Sequence, residues 1–476
     1  MQVQLQRTGE VTFELSRDFR ADMRVPLRVL ADELLLEQVT RDKSLEQLVN
    51  VATLPGITRF AIGMPDMHQG YGFPVGGVAG TMLPDGVISP GGIGFDINCG
   101  VRLLASVLVA RSVGPLEPLV HELSRAIPVG YGRSGRTVLD RGELDRVLAG
   151  GCTYLVRDRK MGLTEDLDYI ESRGTLADAD PGQLTDHARQ RGSDQLGTLG
   201  GGNHFIEVQE VDQIYDERAA AAFRLFAGQL TVLIHTGSRG LGHQVCTDHV
   251  RVMDRALATH RITLPDRQLA CAPFSSREGK EYFAAMCAAA NFAWANRQAL
   301  THRVREVFDR VLGAKEDARL SVVYDVAHNI AKLERFGEHT LCVHRKGATR
   351  AFGPSSDEIP ARYRGVGQPV LIPGSMGTCS FVMAGEDASK EISLSSSCHG
   401  AGRAMSRHAA KAKVQGHVLR RELEAKGIVV RCPSNEELAE EAPVAYKDVE
   451  RVVDVVARAG IARKVARLRP LGVLKG

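Results

Sequence analysis

The sequence predicts an α+β fold, built as a sheet-based core that carries a helical insertion. Two features predict it. Short runs rich in β-branched residues recur along the chain and end in loops carrying Gly with His, Asp, Arg, Ser or Asn, the way a rigid sheet presents chemistry at its rim. Between two such runs lies a stretch of helical, charged texture from about residue 245 to 320. Composition agrees: 476 residues, 43% hydrophobic and 25% charged, are ordinary for a chain with a substantial core. No internal repeat, heptad array or low-complexity tract divides it, so residues 1–476 read as a single domain.

In chain order, strands are expected at Gly86–Ser89 and Val101–Ala105. A helix follows over Leu116–Ala126, where Leu116, Leu119, Val120 and Leu123 share a face and Pro118 falls in the tolerant opening turn. Another is expected at Gly142–Ala149. Residues 155–195, with Asp178-Ala-Asp-Pro-Gly inside them, read as a surface connection or small helical unit. The apolar strand Leu230–His235 comes next. An Ala-rich helix is expected over Glu281–Leu312, with Phe283, Met286, Ala290, Phe292, Ala295 and Val304 as its buried stripe. Strands at Ser321–Tyr324 and Pro369–Pro373 and a helix over about Asn435–Arg458 complete the pattern.

The N-terminus has no basic region followed by an apolar one, and no run of 18 apolar residues occurs, which argues against a secretion signal or a membrane span. Nine Cys, an odd number without a Cys-x-x-Cys pair, favour reduced thiols and a cytoplasmic setting. Cys152, Cys271, Cys287 and Cys432 read as buried small hydrophobes. A net charge of +3 makes any basic surface local, and 5% aromatics leave few rings for stacking bases.

Five segments carry chemistry. In Gly91-Gly-Ile-Gly-Phe-Asp96-Ile-Asn-Cys99, an Asp and a Cys three apart on a glycine-punctuated loop can converge on one cation; the bland reading is a turn with a buried Cys. Gly200-Gly-Gly-Asn203-His204-Phe205-Ile-Glu207 offers a backbone that can approach phosphates and a ligating His. The strand ending in His235 runs on to Arg239, whose planar guanidinium suits a phosphate. Asp325-Val-Ala-His328-Asn329 repeats the strand-to-His logic, with Asp325 expected to orient a ligating imidazole. Ser397-Cys398-His399-Gly-Ala-Gly-Arg403 places a His at a small-residue turn that is expected to open a helix, whose free N–H groups would favour an anion. Three His, one Asp and one Cys exceed what one tetrahedral ion needs and fit two metals sharing Cys99; thiolate and imidazole softness alone points to zinc.

Seven motifs occur in one order: Gly63-Met-Pro-Asp66-Met-His68-Gln-Gly-Tyr-Gly, Gly94-Phe-Asp-Ile-Asn-Cys99-Gly, Gly-Asn203-His204-Phe, His235-Thr-Gly-Ser-Arg239, Asp325-Val-Ala-His328-Asn329, Pro373-Gly-Ser375-Met-Gly-Thr and His399-Gly-Ala-Gly-Arg403. Together they resemble the RtcB family of GTP-dependent RNA ligases, from about residue 20 to the terminal Lys475-Gly. The resemblance implies an RtcB-type fold and a ligase joining RNA 3′-phosphate or 2′,3′-cyclic phosphate ends to 5′-hydroxyl ends. It implies two Mn²⁺, one on Asp96, Cys99 and His204 and one on Cys99, His235 and His328. It makes His399 the residue that takes GMP from GTP, with Asp66 orienting it. GTP contacts would fall to Asn203, Phe205, Glu207, Asn329, Ser375, Ser380, Ala401, Gly402, Arg403, Tyr446 and Lys475, and RNA backbone contacts to Arg191, Arg239 and Arg407. An archease-type activator is a further implied partner, and tRNA halves or broken RNA the implied substrates. One departure is the uninterrupted Gly200-Gly-Gly, where such proteins often carry a Ser.

Two other classes share these residues. A dinuclear phosphodiesterase would use the same five ligands with water as nucleophile, and a non-catalytic RNA-binding protein would need only a structural metal. The second leaves His399, Asp66 and the glycine loops without a task; the first is separated from the ligase by His399 alone.

Overall fold

The computed structural model describes residues 4–132, 134–135, 137–313 and 319–476. The expected α+β architecture is present, with the strands gathered into two large sheets. The first runs in the order Gln6–Arg7, Thr12–Leu15, Leu27–Leu30, Ile57–His68, Val75–Met82, His339–Lys346, Asn329–Phe336. The second runs Ser321–Ala327, Gly100–Val109, Gln229–Thr236, Phe205–Ile214, Ala462–Lys475, Ser380–Gly385, Pro369–Ile372, with Val429–Arg431 added in parallel to Ala462–Lys475. Gln229–Thr236 is buried along its whole length, its polar Gln229, Thr231, His235 and Thr236 included.

Register places the functional loops. In the second sheet Gly100 pairs with Thr236 and with Ala327, Phe205 with His235, and Lys475 with Phe205. Antiparallel neighbours bring the start of one strand beside the end of the next, so five segments distant in sequence meet at one rim. In the first sheet His68 pairs with Val75 and Asn329 with Lys346, forming a second rim. His328 lies where the chain passes from Ser321–Ala327 in one sheet to Asn329–Phe336 in the other.

The helical stretch between the site-bearing strands begins at Arg239 rather than near 245, as Arg239–Thr259, and continues as Arg277–Leu312; residues 314–318 of the expected segment lie outside those described. The longer helix starts at Ser276, whose hydroxyl accepts from the Gly279 N–H, and stops at Gly313 with φ of 61°. Ala288, Ala289, Ala290, Ala293 and Ala295 are fully buried, so the helix lies deep in the molecule instead of on its surface. Arg297 on this helix donates to Asn98 O and Thr236 O at 2.8 Å and to Asp325, tying the helix to the loop that carries Asp96 and Cys99 and to the strand ends. Asp325, Arg102 and Arg297 are 0% exposed.

Two local expectations change. The helix foreseen over 435–458 is broken into Asn435–Glu440, a 3₁₀ turn at Pro443–Ala445, and Val449–Arg458. Pro443 cannot continue a helix, and the break leaves Tyr446 and Lys447 in extended chain that reaches the site. Residues 155–157 close the helix Arg141–Arg157, and the rest of the segment to 195 holds 3₁₀ turns and the short helix Asp186–Gln190; Leu167, Ile170, Leu184 and Ala188 are packed into the core against the long helix. All nine Cys are free; Cys152, Cys271 and Cys287 are buried, whereas Cys432 is half-buried. Among the described residues no helix is long and apolar enough to cross a membrane.

Candidate functional site

The five expected ligands converge. The chain tightens into Asn98 (φ 51°), whose N–H donates to Asn329 O at 2.7 Å and whose amide donates to Ala290 O, while the Cys99 N–H donates to Asp96 O at 2.9 Å. Asp96 and Cys99 are thereby turned to the same side. Cys99 Sγ lies 3.3 Å from His204 Nε2 and 3.4 Å from His235 Nε2; His235 Nε2 lies 3.3 Å from His328 Nε2, and Asp96 Oδ2 2.8 Å from His204 Nε2. The donor atoms form two groups, Asp96–Cys99–His204 and Cys99–His235–His328, each within 4.8 Å. Cys99 belongs to both. Gly200 permits this: a Cβ there would fall 2.1 Å from His204 Nδ1 and 2.2 Å from an Arg239 nitrogen.

Burial keeps the three imidazoles neutral, with His235 and His328 held well below the ordinary histidine range and His204 also lowered. Burial raises Asp96, but the His204 imidazole beside it outweighs that and takes it down to about 2. Burial and the Asp96 carboxylate push the Cys99 thiol well up. Neutral imidazoles, a carboxylate and a thiol that a divalent cation would deprotonate are the donors two metals require, so these residues fit two ions sharing Cys99. Among the described residues, His235 Nδ1 and His328 Nδ1 find no hydrogen-bond partner. Asp325 does not orient His328: it takes Arg102 and Arg297 at 2.8–2.9 Å and Trp294 Nε1 at 3.1 Å, a structural role set by its burial under the long helix.

His399 stands at the end of this cluster, its ring 4.9 Å from that of His328. Its Nδ1 lies 2.6 Å from Asp66 Oδ2, and its backbone N–H donates to the same oxygen at 3.1 Å. A carboxylate only accepts, so Nδ1 carries the proton and Nε2 is left with a lone pair. Asp66 is fully buried, and its segment packs against Gly402 (φ 73°), where a Cβ would meet Asp66 O at 2.2 Å. The expected helix start at His399 is absent: the turn runs on to Ser406, and the helix is Arg407–Lys413. Alternation of glycine and small residues favours an extended turn there, so no helix start offers its free N–H groups at His399. Cys398 is buried in the core.

A cavity of about 800 Å³ opens beside His399, His235 and His328. Asn203, Phe205, Glu207, Asn329, Ser375, Ala401, Gly402, Arg403, Tyr446 and Lys475 line it. Ser380 stands behind the wall, accepting from Gly374 N at 3.3 Å and from Gln209 Nε2 at 3.2 Å. Burial raises Glu207 to about 8. Glu441 takes Arg403, Arg407 and the Tyr446 hydroxyl. Of the arginines expected at RNA, Arg407 lines the cavity and Arg191 is exposed; Arg239 is buried, with Nε on Thr198 Oγ1 and Nη2 on Gly130 O, both at 3.0 Å.

Three cavity or wall residues carried no role in the sequence reading. His68 lines the cavity, and burial takes it down to about 4. Lys346 donates to the carbonyls of Tyr71, Phe73 and Gly91, with burial lowering it to about 7. Lys447 donates to Pro65 O and Met67 O, the carbonyls that flank Asp66. A Lys beside a glycine at a strand end was the visible signal for Lys346; nothing in the pattern marks Lys447.

The family profile described as tRNA-splicing ligase RtcB matches residues 47–476. The chain is 53% identical over 481 residues to the tRNA-splicing ligase RtcB of Archaeoglobus fulgidus, covering 99% of each chain. It is 53% identical over 483 residues to that of Thermococcus kodakarensis, covering 100% of this chain and 99% of the other. The RNA-splicing ligase RtcB of Mycobacterium tuberculosis is 51% identical over 438 residues, 90% of this chain and 100% of its own.

Proposed function

The chain belongs to the RtcB family, and on that premise we propose that it joins RNA 3′-phosphate or 2′,3′-cyclic phosphate ends to 5′-hydroxyl ends through a histidine–GMP intermediate, in tRNA splicing and RNA repair in the cytoplasm. The observation that carries this reading is the His399–Asp66 pair at the edge of a two-metal donor cluster. A hydrolase would use the cluster and leave that pair idle.

GTP would lie in the cavity with its base toward Glu207, Phe205 and Lys475 and its α-phosphate at the Gly400–Arg403 turn. His399 Nε2 attacks the α-phosphorus; the N–P bond forms as the P–O bond to pyrophosphate breaks. The imidazole gains positive charge, which Asp66 balances through Nδ1–H. The RNA 3′-phosphate then takes GMP from His399, giving RNA-3′-pp-5′-G, and the 5′-hydroxyl displaces GMP to close the phosphodiester. A cyclic phosphate is first opened by hydrolysis at the same site. Asp96, Cys99 and His204 would hold one Mn²⁺ and Cys99, His235 and His328 the other; bound there, they would neutralise phosphate charge. Arg407, which lines the cavity, and the exposed Arg191 would meet RNA phosphates.

Incubation with α-labelled GTP and Mn²⁺ tests this. Wild type should gain an acid-labile, alkali-stable label that His399→Ala lacks. A wild-type protein that takes up no label yet cleaves phosphodiesters would be a dinuclear phosphodiesterase instead.

A further inference from the structure

Three rings stand in a row along one lip of the cavity. The Phe95 and His243 rings stack with centroids 4.9 Å apart and planes at 26°, and Tyr71 meets Phe95 edge-on at 5.3 Å and 65°. Tyr71 and Phe95 line the same cavity as His399 and are half-buried; His243 is exposed on the first turns of Arg239–Thr259. Rings that only filled a core would be buried on every side. In a chain with 5% aromatics, such a row beside a metal-ligand loop calls for a π-faced ligand.

Position along the site identifies which one. The contacts form a line: His399 to His328 (4.9 Å between rings), His328 to His235 (3.3 Å), His235 to Cys99 (3.4 Å), Cys99 to His204 (3.3 Å), His204 to Asp96 (2.8 Å). Phe95 is joined to Asp96, which belongs to the Asp96–Cys99–His204 group, whereas His399 adjoins His328 of the other group. In the last ligation step GMP departs from the 3′-phosphorus as the hydroxyl enters in line from the opposite side. With the guanylyl group near His399, the entering strand belongs at the Asp96 end.

We propose that the Tyr71–Phe95–His243 ladder stacks the terminal nucleobase of the RNA strand that brings the 5′-hydroxyl. This rests on the ligase reading above.

The test uses the full-length protein with a 5′-hydroxyl RNA carrying 2-aminopurine at its first nucleotide, compared with the same RNA made abasic there. Wild type should quench the fluorophore and show a KM for the normal strand roughly 5- to 100-fold below that for the abasic one. Phe95→Leu and His243→Ala should shrink that ratio toward one; His243 is exposed, so its variant keeps the test independent of folding. Equal KM values for the two strands in wild type, or full discrimination in both variants, would overturn the proposal. So would a base effect found only when the abasic site is moved to the strand bearing the 3′-phosphate. Label uptake from GTP needs no RNA, so its absence would sink the ligase reading separately.

Discussion

Replacing Asp66 with Asn tests the link between one carboxylate and His399, the proposed nucleophile. Asp66 Oδ2 receives two hydrogen bonds, from the His399 ring at 2.6 Å and from its backbone N–H at 3.1 Å. Hydrogen bonds to a charged group contribute about 1.5–3 kcal/mol and neutral ones about 0.5–1.5. Asn keeps the shape and removes the charge, so two bonds weakened by about 1–1.5 kcal/mol each lose roughly 2–3 kcal/mol of support for the imidazolium formed during attack. At about 1.4 kcal/mol per tenfold, guanylylation should slow about 30- to 150-fold. Asp66 Oδ1 is buried without a partner among the described residues, so the new NH₂ either sits there unsatisfied or turns toward His399 and disfavours the reactive tautomer. The assay is single-turnover label uptake from α-labelled GTP, stopped with alkali to preserve the P–N bond. A rate within threefold of wild type, at saturating GTP and full metal loading, would refute the argument that Asp66 charges and orients His399.

Other expectations follow from the same geometry. Cys99→Ala removes the one donor common to both groups, so metal content by mass spectrometry should fall at both sites together; loss of a single equivalent would show that the thiol does not bridge. Burial holds Glu207 protonated up to about 8, and a guanine edge that donates hydrogen bonds needs the carboxylate. GTP binding should then release a proton below pH 8 and tighten by up to about tenfold per unit as pH rises toward it, flattening above; Glu207→Gln, measured by calorimetry, should abolish that slope, and an unchanged slope would remove Glu207 from the guanine site. Asp325→Asn strips the counter-charge from Arg102 and Arg297, all 0% exposed, and should destabilise by about 3–5 kcal/mol in urea unfolding. Glu171, raised by burial but taken to about 2 mainly by Lys332, contributes stability that is present above its unfolded pKa near 4.5 and lost as pH falls from there toward 2; Glu171→Gln should flatten that part of the acid-unfolding curve.

The candidate donors were legible in the sequence because each ends a strand or sits on a glycine loop, and such positions are visible in one dimension. The helix over 277–312 was legible for a similar reason: its Ala-rich stripe is a periodic signal. Asp325 was misread because the same cue, an acid three residues before a His, says nothing about which side of the strand faces the long helix. Pairing decides that, and pairing is not local. The break at Pro443 had a plain local signal that the apolar period on either side obscured.

Register also explains why residues so far apart form one site. Each antiparallel pairing places one strand's first residue beside its neighbour's last, so Gly100, Phe205, His235, Ala327 and Lys475 share a rim although nothing in the sequence orders them. Arg297 then fixes that rim from below, bonding Asn98, Thr236 and Asp325 at once. The candidate donor cluster is therefore held by a buried charge network that, among the described residues, hydrogen-bonds none of its donor atoms. That separation has a consequence: Arg297→Met should loosen both metal groups and raise the dissociation constant for each, while conservative changes on the cavity side, such as Ser375→Ala, should leave metal content untouched. Equal metal retention in Arg297→Met, measured by competition with a chelator on folded protein, would show that the strand pairing alone holds the donors in place.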